Sequence, residues 1–91
     1  MLPRPIKRGR LTNSQAFQAM ISYLLLIEIP FKAEYDEDKG QLKYIRIRRY
    51  TQYDEKLIKD IKGMCVQLYG CFFESENEDE EIAPYLDLEW Y

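Results

Sequence analysis

Twice along this 91-residue chain the spacing of apolar residues changes from three and four to two, and that double change restricts the fold more than any other feature. Phe17, Met20, Ile21, Leu24 and Ile27 recur at helical intervals, behind a Thr12/Gln15 pair in capping-box spacing; Asn13 or Ser14 would cap equally well. This predicts a helix over residues 13–28. Pro30 lacks an N–H and pushes Ile29 out of helical space, so the chain is expected to continue as an extended segment, Phe31–Tyr35. After the turn residues Asp36, Glu37, Asp38, Lys39 and Gly40, the stretch Gln41–Tyr50 alternates strictly, as a half-buried strand does. Pairing Tyr35 with Gln41 would set Ala33 against Lys43, Phe31 against Ile45 and Ile29 against Ile47, which gathers the aliphatic residues on one face.

The same succession then returns. Leu57, Ile58, Ile61, Met64, Cys65 and Leu68 form one helical face, with Lys56, Lys59, Asp60 and Lys62 opposite. A helix over residues 53–69 is expected, capped by Thr51 or Asp54, with Gly70 in the position just past its C-cap. Cys71, Phe72 and Phe73 open another extended run. Ile82–Tyr91 alternates again, with Leu86, Leu88 and Trp90 on one side and Tyr85, Asp87, Glu89 and Tyr91 on the other. The fold class is therefore α+β in the order αββαββ, with two helices on one face of a four-stranded antiparallel sheet. That is the element order of a ferredoxin-like fold with its first strand moved to the end, and it leaves the second sheet face open.

The length leaves room for one domain only. A hydrophobic content of 46% argues that it folds, despite 32% charged residues. Residues 1–11, with two prolines, a glycine and four bases, read as a basic flexible arm; residues 12–91 read as the domain, with an acidic loop at 74–81. The apolar run Leu24–Ile27 is too short to span a bilayer, and the basic opening followed by Thr12, Asn13, Ser14 and Gln15 is unlike a secretion signal. The expected location is cytoplasmic, with no membrane partner.

The absence of histidine removes the commonest general base, the triads built on it and most catalytic zinc sites. Cys65 and Cys71 are expected as reduced core residues, a short-loop bridge between them being the lesser alternative. The acidic run lacks the ligand spacing and central glycine of a calcium loop, and the acids of the 36–40 turn are what a solvated turn requires. Gly9, Gly40, Gly63 and Gly70 stand singly, so no phosphate-cradling loop is present. No catalytic residue, metal or cofactor is expected, and the chain is not expected to be an enzyme.

What remains is binding. The formal net charge of -3 conceals a basic block at 1–10, a second from Lys39 to Arg49, and an acidic one from Glu74 to Glu89. On the open side of Gln41–Tyr50 the alternation aligns Leu42, Tyr44, Arg46, Arg48 and Tyr50. The expected function is a small non-enzymatic protein-binding module, an adaptor, regulator or inhibitor of a larger complex. Its expected contact residues are Tyr44, Arg46, Arg48, Tyr50, Tyr85 and Tyr91, with an acidic surface of Glu76, Glu78, Asp79, Glu80 and Glu81 and a basic arm of Arg4, Lys7, Arg8 and Arg10. The alternative is a single-stranded RNA or DNA platform on Tyr44, Arg46, Arg48 and Tyr50, where bases stack on rings and arginines meet phosphates. Against it stand the net negative charge and the acids Glu34, Asp87 and Glu89, which can pair with those arginines across the sheet. The last strand, if it forms a sheet edge, would also favour a homodimer.

Overall fold

The computed structural model describes residues 11–38, 41–75 and 83–91, the side chain of Gln41 excepted. Helix α1 (Asn13–Leu26) opens on the capping box: the Gln15 N–H donates to Thr12 Oγ1 at 3.1 Å and the Thr12 N–H to Gln15 Oε1 at 3.0 Å. It ends two residues earlier than the spacing predicts. Glu28 turns left-handed (φ 59°), its N–H donates to the Leu25 carbonyl, and the Ile29 N–H donates to that of Leu24. This double bond is a Schellman stop, and the buried pair Leu24 and Ile29 supplies its apolar contact ahead of Pro30.

Strands β1 (Lys32–Asp36) and β2 (Gln41–Arg48) form the first hairpin, in a register other than the expected one. Tyr35 faces Leu42 and Glu34 faces Tyr44, so Lys43 is an extra residue without a partner, and beyond it Ala33 faces Ile45. The displacement of two residues keeps Ala33 and Ile45 on the same face. The bulge also reverses the alternation at the turn end of β2, so Leu42 packs against the core and not on the open face. Arg49 is left-handed (φ 54°) and ends β2 two residues short of Tyr50, which instead opens a short 3-10 turn, Tyr50–Gln52.

Helix α2 (Glu55–Gln67) is capped by Asp54, whose Oδ1 accepts from the Lys56 N–H at 3.0 Å. Its stop repeats the device of α1: Tyr69, not Gly70, is the left-handed residue (φ 64°), its N–H donating to Val66 and that of Gly70 to Cys65. Gly70 serves close packing instead. A Cβ there would lie 2.5 Å from Trp90 Nε1 and 2.8 Å from Cys65 Sγ.

Strands β3 (Cys71–Ser75) and β4 (Tyr85–Glu89) form the second hairpin. All four strands join one antiparallel sheet in the order β1-β2-β4-β3, which is the ferredoxin-like order after its first strand is moved to the end. β4 is therefore interior, and the sheet edge expected of the last strand belongs to β1 and β3. Ile45 faces Leu88 and Ile47 faces Leu86, and these four side chains, all fully buried, form the floor of the core. Phe17, Met20 and Leu24 of α1 and Ile58, Ile61 and Cys65 of α2 close over them, with Trp90 set edge-on against Phe17 at 4.8 Å between ring centres. Both helices thus lie on one face.

Candidate interaction face

The residues alternating with that floor line the opposite face of the sheet. One cross-strand row runs Lys32, Arg46, Asp87, Phe73, and the next contains Arg48, Tyr85 and Ser75. Tyr44 follows Arg46 toward the bulge, and Glu89 faces Cys71 across β4 and β3. Of the six expected contact residues the structure brings Tyr44, Arg46, Arg48 and Tyr85 together on this face.

Arg46 is the centre of the arrangement and is already engaged. Its Nε donates to Asp87 Oδ1 at 2.8 Å and its Nη2 to Oδ2 at 2.9 Å, a bidentate clamp across β2 and β4. The guanidinium carbon lies 3.8 Å from the centre of the Tyr85 ring and 4.9 Å from that of Tyr44. The hydrogen bond to Asp87, with the attraction of that carboxylate, holds the guanidinium pKa above its ordinary value despite burial. Asp87 is the one buried charged residue among those described. Charge at the middle of the face is thereby cancelled, and rings flank it.

Around this clamp the exposed side chains are two aromatic and two basic ones. Phe73 is 54% exposed beside Asp87, and Tyr91 is 82% exposed just past β4. The Tyr91 hydroxyl donates to Glu89, and that hydrogen bond pushes the phenol pKa up to about 12. Arg48 is exposed near the end of β2. Lys32 and Glu34 approach to 3.8 Å on β1, an exposed pair of small energetic weight.

Tyr50 departs from the expected set. Arg49 turns the chain before it, so Tyr50 leaves the strand face, packs against the core and lines a cleft of about 410 Å³ with Tyr53, Ile58, Lys59 and Lys62. One residue was missed. Phe73 belongs to the face because Phe72 pairs with Leu88 on the core side, a consequence of register that the run of Phe72 and Phe73 does not reveal. Asp87 was legible as a pairing acid but not as the clamp on Arg46 in particular. The basic arm (Arg4, Lys7, Arg8, Arg10) and the acidic set (Glu76, Glu78, Asp79, Glu80, Glu81) lie outside the described residues.

Both cysteines are free thiols. Cys65 is buried in the core and donates to the Cys71 carbonyl at 3.3 Å, and desolvation, aided by the neighbouring Cys71, pushes its pKa up to about 12. Cys71 sits half-buried on the open side, not in the core. In the first hairpin turn, Asp36 Oδ1 accepts from the Asp38 N–H at 3.0 Å. Among the described residues no three Cys, Asp or Glu side chains converge as metal ligands, and no helix is long and apolar enough to cross a membrane.

Fold and face together define a small α+β sheet with helices on one side and a charge-compensated aromatic surface on the other. Compared with protein-family models, with curated proteins and with solved structures, the chain matches none.

Proposed function

We propose that this protein is a small non-enzymatic binding module whose open sheet face takes a protein partner. The observation that carries the reading is the clamp on Arg46: two of its five N–H donors are bound to Asp87 and its charge is matched by that carboxylate, only 8% exposed, so the pair offers a phosphate little net attraction. Leaving that clamp intact, a ligand meets Tyr44, Tyr85, Phe73 and Tyr91 around a neutral centre. Aromatic side chains with an adjacent arginine are the residue types that anchor protein interfaces. The carboxylates of Glu34, Asp87 and Glu89 on the same side disfavour a polyanion. The acidic composition of residues 74–81 would suit a partner that carries a basic region.

The test is affinity capture from native cell extract, with and without nuclease, using the wild-type chain, Phe73→Ser and Arg48→Ala. The expected result is a protein retained after nuclease treatment, lost with Phe73→Ser and kept with Arg48→Ala. Recovery of nucleic acid alone, with a steep salt dependence that flattens in Arg48→Ala, would overturn the reading in favour of the single-strand platform.

A further inference from the structure

The edges of a sheet leave rows of backbone donors and acceptors that can pair with another strand, and folded proteins guard them with charge, bulges or cover. Among the described residues the two edges are guarded unequally. β1 carries Lys32, Glu34 and Asp36, with Lys32 largely exposed, and the bulge at Lys43 breaks its register with β2. β3 pairs with β4 in unbroken register, contains no proline or lysine, and has a single charge, Glu74, which faces the helix side and is held by Lys62 of α2. Phe73, at the centre of that strand, is more than half exposed on the open face.

We propose that β3 pairs antiparallel with β3 of a second copy of this chain, about a two-fold axis midway between the two Phe73 residues. A two-fold contact must be self-complementary, each residue meeting its symmetry mate. Centring on Glu74 would set two carboxylates face to face, and centring on Phe72 would leave both Glu74 and Ser75 beyond the pairing. Centring on Phe73 matches all five residues: Phe73 meets Phe73 of the other copy, Cys71 meets Ser75, and Phe72 meets Glu74 on the helix side. The two four-stranded sheets become one of eight strands, and the two open faces become one continuous aromatic surface. The inference does not depend on what that surface binds.

The register supplies a specific test. Facing residues of an antiparallel pair have Cα atoms about 4.5–5.5 Å apart, within disulfide reach, whereas Cys71 and Ser75 of one chain stand roughly 13 Å apart along the strand. Ser75→Cys under mild oxidation is therefore expected to give a covalent dimer of twice 11.0 kDa, abolished by adding Cys71→Ser. Sedimentation equilibrium of the unmodified chain from micromolar to millimolar concentration is expected to show a reversible dimer. Phe73→Lys, a change at an exposed position that circular dichroism should show folded, is expected to weaken that dimer at least tenfold, and Glu34→Lys on the other edge to leave it unchanged. A monomer throughout the concentration range, a dimer indifferent to Phe73→Lys, or no Cys71-dependent cross-link would each overturn the proposal.

Discussion

Replacing Arg46 with methionine separates a structural arginine from a ligand-binding one. The substitution keeps an apolar stem between Tyr44 and Tyr85 but removes both hydrogen bonds to Asp87, whose side chain is 11% exposed against 25% for Arg46. Stripping one partner from a fully buried pair costs about 3–5 kcal/mol, chiefly because the remaining charge is left uncompensated. Here the carboxylate lies at the surface of an open sheet and can recruit water, so about 2–3 kcal/mol is expected, which for a chain of this size lowers Tm by roughly 10–20 °C. Asp87→Leu alone should be destabilising for the same reason. The double variant Arg46→Met with Asp87→Leu should recover most of the loss, because an apolar pair of similar volume carries no desolvation penalty. Urea unfolding of the four proteins gives the coupling energy directly. A loss below about 0.5 kcal/mol in Arg46→Met, the range of ordinary surface changes, would refute the clamp and return Arg46 to the pool of free ligand-binding cations.

Three further outcomes follow from the geometry. Gly70→Ala drives a methyl group against the Trp90 ring, itself fixed by Phe17 and by the Asn13 amide that donates to the Trp90 carbonyl at 3.0 Å; a loss of about 1–3 kcal/mol in thermal unfolding is expected, and a neutral result would mean the ring can move aside. Glu28→Gly removes the strain of a left-handed non-glycine residue at the end of α1 and should stabilise by about 1 kcal/mol in the same assay, a loss counting against the assigned stop. Because Cys65 is raised in the folded state from 9.0 to about 12, the unfolded chain releases its thiol proton first; the thiol's contribution to stability is complete below pH 9 and falls away as pH rises toward 12. Cys65→Ala should flatten that alkaline decline in a pH series of unfolding midpoints, and an unchanged slope would assign the decline elsewhere.

The apolar periods made the architecture legible, because Ile45, Ile47, Leu86 and Leu88 can reach one core only if each strand presents alternate residues to it. Local backbone exceptions were not legible. The bulge at Lys43, which brings Leu42 to the core side, has no marker residue, and the left-handed positions fall on Glu28, Arg49 and Tyr69, none of which announces a positive φ. Gly70 drew the left-handed assignment on conformational grounds, but its absent side chain is needed one step later, where the Trp90 ring arrives from the far end of the chain. The loss of Tyr50 from the face follows from Arg49 alone. The alternation expected over residues 41–50 already falters at the successive bases Arg48 and Arg49, and the single left-handed residue Arg49 decides where the strand stops.

Strand adjacency decides what kind of surface this sequence makes. Along the chain the bases of Lys39–Arg49 and the acids of Glu74–Glu89 are separate blocks, which suggests two oppositely charged patches. In the sheet β2 and β4 are neighbours, so Arg46 from the basic block meets Asp87 from the acidic one. Were β2 beside β3 instead, Arg46 would have no strand-borne carboxylate opposite it and the row of Tyr44, Arg46 and Arg48 could serve phosphates. The observed order cancels charge at the centre of the face and leaves Tyr85, Tyr44 and Phe73 as its chemistry. On the proposed reading, a partner gains chiefly from burying aromatic surface at that centre, with Arg48 and Lys32 as the exposed charges at its margin.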